Sequence, residues 1–308
     1  MRTDVNFNQG WEFILSDTEP SADAAWKPVS LPHDWDVEYE LQEDAASGGG
    51  GGYAHAGIGW YRRRFALTPQ EAAGRHVSLL FEGVYMNASV YLNGELLAHH
   101  NYGYTPFMVS LDQALKYRTD ADPDAGSTML HSSEEGTAQN AEVRNALLPE
   151  GEESAAINTL LVHVDNSLQP GSRWYSGSGI YRDVHFILYP DVHIAPWGIR
   201  CAANAIYPDS DSADLLIQTS VCNESSDRQI IGVLHELFDR DGEKITSSGA
   251  GLLLEAGSEG TCRVRPMVDH PHLWDADDPY LYTLVTQVQI NGKTVDTVRT
   301  PVGIRTAA

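Results

Sequence analysis

Cysteine is scarce. Cys201, Cys222 and Cys262 are the only three in 308 residues, an odd number, widely spaced and without a CxxC pair. That disfavours a disulfide framework or a structural zinc site, and buried free thiols are expected instead. Long apolar runs are absent. No stretch approaches the about 18 residues a membrane helix needs, and Met1-Arg2-Thr3-Asp4-Val5-Asn6 has no apolar signal region. On this reading the chain is cytoplasmic. Basic residues are few: 20 Lys plus Arg stand against 43 Asp plus Glu, for a net charge of -23. Such a chain displaces no counterions from nucleic acid and is not drawn to an anionic membrane. An acidic, solvated surface that keeps the protein soluble accounts for the charge, and a neutral ligand such as a sugar is compatible with it. Long helical periodicity is also missing.

What is present reads as β throughout. Residues 76–81 and 88–92 are short and rich in β-formers, and Asn93-Gly94 follows the second run before Glu-Leu-Leu-Ala resumes. An Asn-Gly pair between apolar runs is a strong hairpin signal. Further strands are expected at 159–164 and 183–189. Many short strands with Gly, Pro and Asn turns indicate a sandwich or jelly roll. The texture changes at Tyr189-Pro190-Asp191, and strands follow near 192–203, 213–222, 229–238, 260–266, 281–290 and 294–300. Asp239-Arg240-Asp241-Gly242 and Asn291-Gly292 mark turns. About seven strands in about 110 residues fit an immunoglobulin-like sandwich of the disulfide-free kind. The expected layout is therefore all-β, with a jelly roll over 1–190 and an immunoglobulin-like domain over 191–308. Residues 117–157 are acidic and poor in apolar side chains, which predicts a surface insertion. Residues 44–52, ending in five glycines, form a second loop. It is either a plain connection or a flap over a ligand.

Three segments concentrate polar and aromatic groups: Pro32-His33-Asp34-Trp35, Tyr53 to Arg62, and Ser172 to Asp183. Sugar sites use this mixture, with aromatic faces on the pyranose ring and Asp, Arg, His or Asn on its hydroxyls. Each also has a plainer reading. Trp60 fits a sandwich core, Asp34 can cap a turn, and Arg182 beside Asp183 fits a structural ion pair. Glycoside hydrolysis needs two rigid carboxylates, about 5 Å apart in retaining enzymes. No such pair is evident. Metal-binding His triplets, a Gly-x-Ser-x-Gly elbow and a phosphate loop are missing as well. No catalytic residue, metal or cofactor is expected in this chain, which reads as a binding or scaffolding unit.

Taken together in order, the motifs resemble glycoside hydrolase family 2. Asn8-Gln9-Gly10-Trp11-Glu12-Phe13 is similar to the family's opening, and Leu31-Pro32-His33-Asp34-Trp35 follows it. Gly57-Ile58-Gly59-Trp60-Tyr61-Arg62-Arg63, Phe81-Glu82-Gly83-Val84, Val90-Tyr91-Leu92-Asn93-Gly94 and Gly103-Tyr104-Thr105-Pro106-Phe107 continue the likeness. Asn158-Thr159-Leu160 comes next. Arg173-Trp174-Tyr175-Ser176-Gly177-Ser178-Gly179-Ile180-Tyr181-Arg182 resembles the β-galactosidase branch. Leu273-Trp274, Pro279-Tyr280-Leu281-Tyr282 and Gly303-Ile304-Arg305 resemble the end of the family's second domain.

The resemblance implies a galactose-binding-like jelly roll, an immunoglobulin-like domain, and then a (β/α)₈ barrel that carries an acid/base Glu and a nucleophile Glu. The sequence stops where that barrel would begin. The implied parent is a retaining enzyme removing terminal β-galactosides, with this portion inactive alone. Its partners would be the sugar and the barrel, and homo-oligomerisation is left open. By the same resemblance, Arg173 reaches the sugar, with Trp174, Asp34, Tyr53 and His55 on the same wall. Arg rather than Asp at 173 weighs toward galactose and offers no metal ligand there. The alternatives are a stand-alone carbohydrate-binding module, a structural module, or the front of a β-glucuronidase or β-mannosidase.

Overall fold

The computed structural model describes residues 1–117, 158–168 and 176–305. The expected insertion beyond Tyr117 lies outside these residues, as do Arg173 and Trp174. Two compact units emerge: Thr3–Leu188, and Met1–Arg2 together with the chain from Tyr189 onward.

Among the described residues, the first unit is all-β but for 3₁₀ turns and one short helix, α1 (Pro69–Ala72). Its strands are β1 (Thr3–Asn6), β2 (Trp11–Leu15), β3 (Lys27–Val29), β4 (Ile58–Phe65), β5 (His76–Phe81), β6 (Ala88–Leu92), β7 (Glu95–His100), β8 (Phe107–Ser110), β9 (Asn158–Asp165) and β10 (Val184–Tyr189). They form a four-stranded sheet, β1-β10-β5-β8, and a six-stranded sheet, β3-β2-β4-β9-β6-β7. Alternation along β2 and β9 sends Trp11, Phe13, Leu160, Val162 and Val164 into one core with Leu79 and Phe81 of β5 and Phe186 of β10. The result is the expected jelly-roll sandwich. Asn93 and Gly94 both take positive φ, 54° and 87°, as the two-residue turn between β6 and β7 requires.

Trp60 is a packing residue. It is buried, and its indole donates to the Ser16 carbonyl. Arg62 is held by Glu12 at 2.8 Å and stacks on Trp26. The expected Arg182–Asp183 pairing gives way to other partners. Asp183 accepts from the Asn8 amide at 2.9 Å, while the Arg182 guanidinium lies over the Tyr181 ring.

The second unit contains β11 (Val192–Tyr207), β12 (Ser212–Asn223), β13 (Gln229–Phe238), β14 (Lys244–Leu254), β15 (Ser258–Val264), β16 (Met267–Asp269), β17 (Tyr282–Ile290) and β18 (Lys293–Val302). One sheet is β11-β12-β15 with β16 against β12, and the other is β14-β13-β17-β18. This is the immunoglobulin-like arrangement. All three cysteines are free thiols. A buried hydrogen bond links the two sheets: Thr219 Oγ1 of β12 meets His235 Nε2 of β13 at 2.9 Å. Sequence periodicity did not mark β14, whose Gly249 and Gly251 weaken the local preference for a strand. It forms because β13 supplies a full antiparallel partner from Gln229 to Phe238. Among the described residues, no helix is long and apolar enough to cross a membrane.

Candidate functional site

After β3 the chain passes through a cis Leu31-Pro32 bond and enters a 3₁₀ turn at Trp35–Glu38. Asp34 caps that turn. Its Oδ1 accepts from the Asp36 amide at 3.1 Å, which satisfies an otherwise orphaned donor. The same oxygen accepts from the Ser178 amide at 2.9 Å, 144 residues along the chain. The two segments then run side by side: His33 N–H donates to the Ile180 carbonyl at 2.8 Å, and Trp35 N–H to the Ser178 carbonyl at 3.1 Å. Tyr85 clasps Gly179 from the other side through two backbone hydrogen bonds, each 2.9 Å.

Gly179 has φ 119°, and a Cβ there would run into the Tyr61 hydroxyl and the His33 carbonyl. Only glycine suits this crossing. Gly177 has φ 74°, and a Cβ there would lie 2.8 Å from Asp34 Oδ2.

A buried polar chain lies beneath this knot. Asn166 donates to Ser178 Oγ at 2.7 Å, and Ser178 Oγ donates to Asp36 Oδ2 at 2.8 Å. Asp36 is 6% exposed, and its Oδ1 has no hydrogen-bond partner. Burial pushes its carboxyl up to about 6; the Ser178 hydroxyl opposes the shift and the Asp34 charge adds to it. His33 Nδ1 is 2.7 Å from the Tyr61 hydroxyl, and its Nε2 is 3.4 Å from Glu38, which also pairs with Lys27. Burial lowers the His33 pKa despite Glu38, and burial also holds the Tyr61 hydroxyl well above its ordinary value. These two rings are neutral framework at pH 7. Neither Asp34, on two amides, nor Asp36, sealed in the interior, is presented as an acid/base catalyst.

Asp34 is thus bound into the base of the segment that leads from Arg173 and Trp174. His55 is brought to the same place through Trp35, whose indole donates to the His55 carbonyl at 3.1 Å. The His55 ring leans on Tyr39 at 5.0 Å. Tyr53 is different. It is 43% exposed, at φ 58°, and its backbone bonds to Gln42 and Gly48 stay within its own loop. Nothing described ties Tyr53 to Asp34. The glycine run makes a short 3₁₀ turn at Gly49–Gly51, with Gly48 and Gly52 at positive φ. The residues that sequence reading did not single out are Asp36 and Asn166. Asp36 follows Trp35 directly, yet its role depends on Ser178, and no local signal announces Asn166.

Two family models match the chain: the galactose-binding domain-like model of glycosyl hydrolase 2 over residues 58–158, and the glycosyl hydrolases family 2 model over residues 199–305. The chain belongs to glycosyl hydrolase family 2. It is 35% identical to the β-galactosidase BoGH2A of Bacteroides ovatus over 98% of its own length and 31% of that protein's. It is 30% identical to a putative β-glucuronidase of Formosa agariphila over 100% of its length and 25% of that protein's. Among solved structures, a family 2 member from Bacteroides cellulosilyticus superposes with a TM-score of 0.80 at 23% identity, covering 99% of this chain and 36% of the other. A β-glycosidase from Bacteroides vulgatus gives 0.76 at 28% identity over 98% and 34%. The chain therefore spans a third or less of the length of these curated relatives, and it matches family 2 in both of its domains.

Proposed function

We propose that this chain is the accessory front portion of a retaining β-galactosidase. In this reading the jelly roll lends one pocket wall to a catalytic barrel carried by the rest of the protein. The observation that carries it is the knot of Asp34, Ser178 and Gly179. Hydrogen bonds on both sides hold residues 178–180 against Asp34, Trp35 and Tyr85, the kind of anchoring that a pocket wall requires. The galactoside reading is supported by the 35% identity to a protein named β-galactosidase and by the Arg at 173. The β-glucuronidase reading stands second, because several relatives carry that name.

In the proposed enzyme the barrel supplies both catalytic carboxylates. This chain binds and orients the sugar: Arg173 by directional hydrogen bonds to hydroxyls, Trp174 and Tyr53 by ring contact, and Asp34 and His55 from the knot side. Hydrolysis of p-nitrophenyl β-galactoside and p-nitrophenyl β-glucuronide by the full-length protein separates the two readings. The galactoside is expected to have the higher kcat/KM, and Arg173→Ala to lower it by about 10²-fold, roughly 2.7 kcal/mol. Preference for the glucuronide overturns the galactosidase reading; full activity in a folded Arg173→Ala variant removes Arg173 from the site. The 308-residue chain alone is expected to hydrolyse neither substrate and to bind galactose very weakly, since half of the pocket is absent. Micromolar galactose binding by this chain would favour a stand-alone binding module.

A further inference from the structure

On the four-stranded sheet of the first unit, Glu82, Asp183 and His185 converge. Glu82 directly follows β5, and its N–H donates to the Asp183 carbonyl at 3.0 Å. His185 is on β10, opposite Asn6 of β1. One donor atom from each of the three side chains lies within 4.8 Å of the other two.

The imidazole is oriented as a ligand would be. Its Nδ1 is hydrogen-bonded to Asp4 Oδ1 at 2.9 Å. Its Nε2 is shut off from solvent and has no hydrogen-bond partner, with Glu82 Oε1 3.5 Å away. A carboxylate on one ring nitrogen fixes the tautomer that leaves a lone pair on the other, the usual outer-shell arrangement of metal-binding histidines. Asp183 is anchored too: the Asn8 amide donates to its Oδ1 at 2.9 Å, while Asn8 Oδ1 accepts from the Val184 amide at 2.9 Å.

We propose that Glu82, Asp183 and His185 bind a divalent transition-metal ion of the zinc type, with Asp4 as the outer carboxylate. One imidazole nitrogen and two carboxylate oxygens suit such an ion, and a water completes four-coordination. Two donors on a tetrahedral zinc stand about 3.4 Å apart, so the triangle, within 4.8 Å as it stands, must close by up to about 1.4 Å. The Glu82 side chain, 44% exposed, has the freedom to do so. Three carboxylates around one imidazole repel one another, and a cation offsets that repulsion. The ion would clip the end of β5 to β10 and, through Asp4, to β1. A proton on His185 Nε2 is the competing occupant.

The test uses zinc alone. The metal-stripped 308-residue chain is titrated with Zn²⁺ at about pH 7.5 against a fluorescent chelator, and crystals soaked in Zn²⁺ are examined by anomalous scattering. One site is expected, with a peak among Glu82, Asp183 and His185. Affinity should fall at least about 10-fold in His185→Ala and in Glu82→Gln, and about 10- to 100-fold in Asp4→Asn. The exposed pairs His270–Asp211 and His272–Asp278 offer only two donors each. His270→Ala and His272→Ala should leave the affinity unchanged. Unchanged affinity in folded His185→Ala and Glu82→Gln variants, or a peak only at other residues, overturns the proposal and leaves the proton as occupant.

Discussion

Asp36 is the residue at which the demands of the fold are most plainly in conflict. One carboxylate oxygen has a good donor in Ser178, while the other is buried with none. A buried charge without full hydrogen bonding is destabilising, and the carboxyl answers by staying protonated up to about pH 6. The unfolded chain ionises near pH 3.8 and the folded one near 6, so the folded state holds the extra proton between those values. The stability contribution is therefore present at low pH and is lost as pH rises from about 4 to about 6, by up to about 3 kcal/mol. Asp36→Asn keeps the shape and removes the titration. Urea unfolding between about pH 4 and 8 should show a flatter profile in the variant over that window. A wild-type slope retained in Asp36→Asn would mean that the carboxyl is solvated after all.

At the scale of elements, β12 and β13 show a polar link built into an apolar sandwich. His235 alternates inward with Ile231, Val233 and Leu237, and meets Thr219 across the core. Burial lowers its pKa below the ordinary 6.5. Here the unfolded state binds the proton more readily, so stability rises with pH and is lost as pH falls below about 6.5. This is opposite in sign to Asp36 and belongs to the other unit. His235→Gln retains an amide for Thr219 and cannot titrate. It is expected to reduce the acid-side loss of stability of the immunoglobulin-like unit, followed by thermal melts from about pH 7.5 to about 5. An unaltered acid limb would place the sensitivity at another histidine. The hairpins at Asn93-Gly94 and Asn291-Gly292 were legible because the signal is confined to two residues whose φ must be positive. β14 was not, because its stability comes from the neighbouring strand.

At the scale of the molecule, the first two residues fold with the second unit. Arg2 donates through Nε to Asp296 Oδ1 and through Nη2 to Oδ2, each at 3.0 Å, and also to the Ile194 carbonyl at 2.8 Å. Asp296 is fully buried and accepts from the Ile194 amide as well. Removing one partner of a buried pair strands the other charge. Arg2→Ala should therefore destabilise the immunoglobulin-like unit by about 3 kcal/mol. Calorimetry is expected to show its transition lowered, with that of the jelly roll unmoved. Equal shifts in both, or none, would argue against this anchoring. Nothing in Met1-Arg2-Thr3 signals such a role, since its partner is 294 residues away.

The sequence by itself determined the class of this protein. Period-two alternation, Asn-Gly turns and the order of the family motifs act over a few residues each, and they specified two β-sandwiches of family 2. Only the tertiary structure decided which side chains meet. Asp34 reads locally as a turn cap, and it is one; the fold also lays Ser178 on the same oxygen and turns the cap into the base of a candidate sugar wall. Asp36 with Ser178, Glu82 with His185, and Arg2 with Asp296 are long-range encounters. Their chemistry depends on burial and on distances of about 3 Å, which sheet register sets and no run of neighbouring residues encodes.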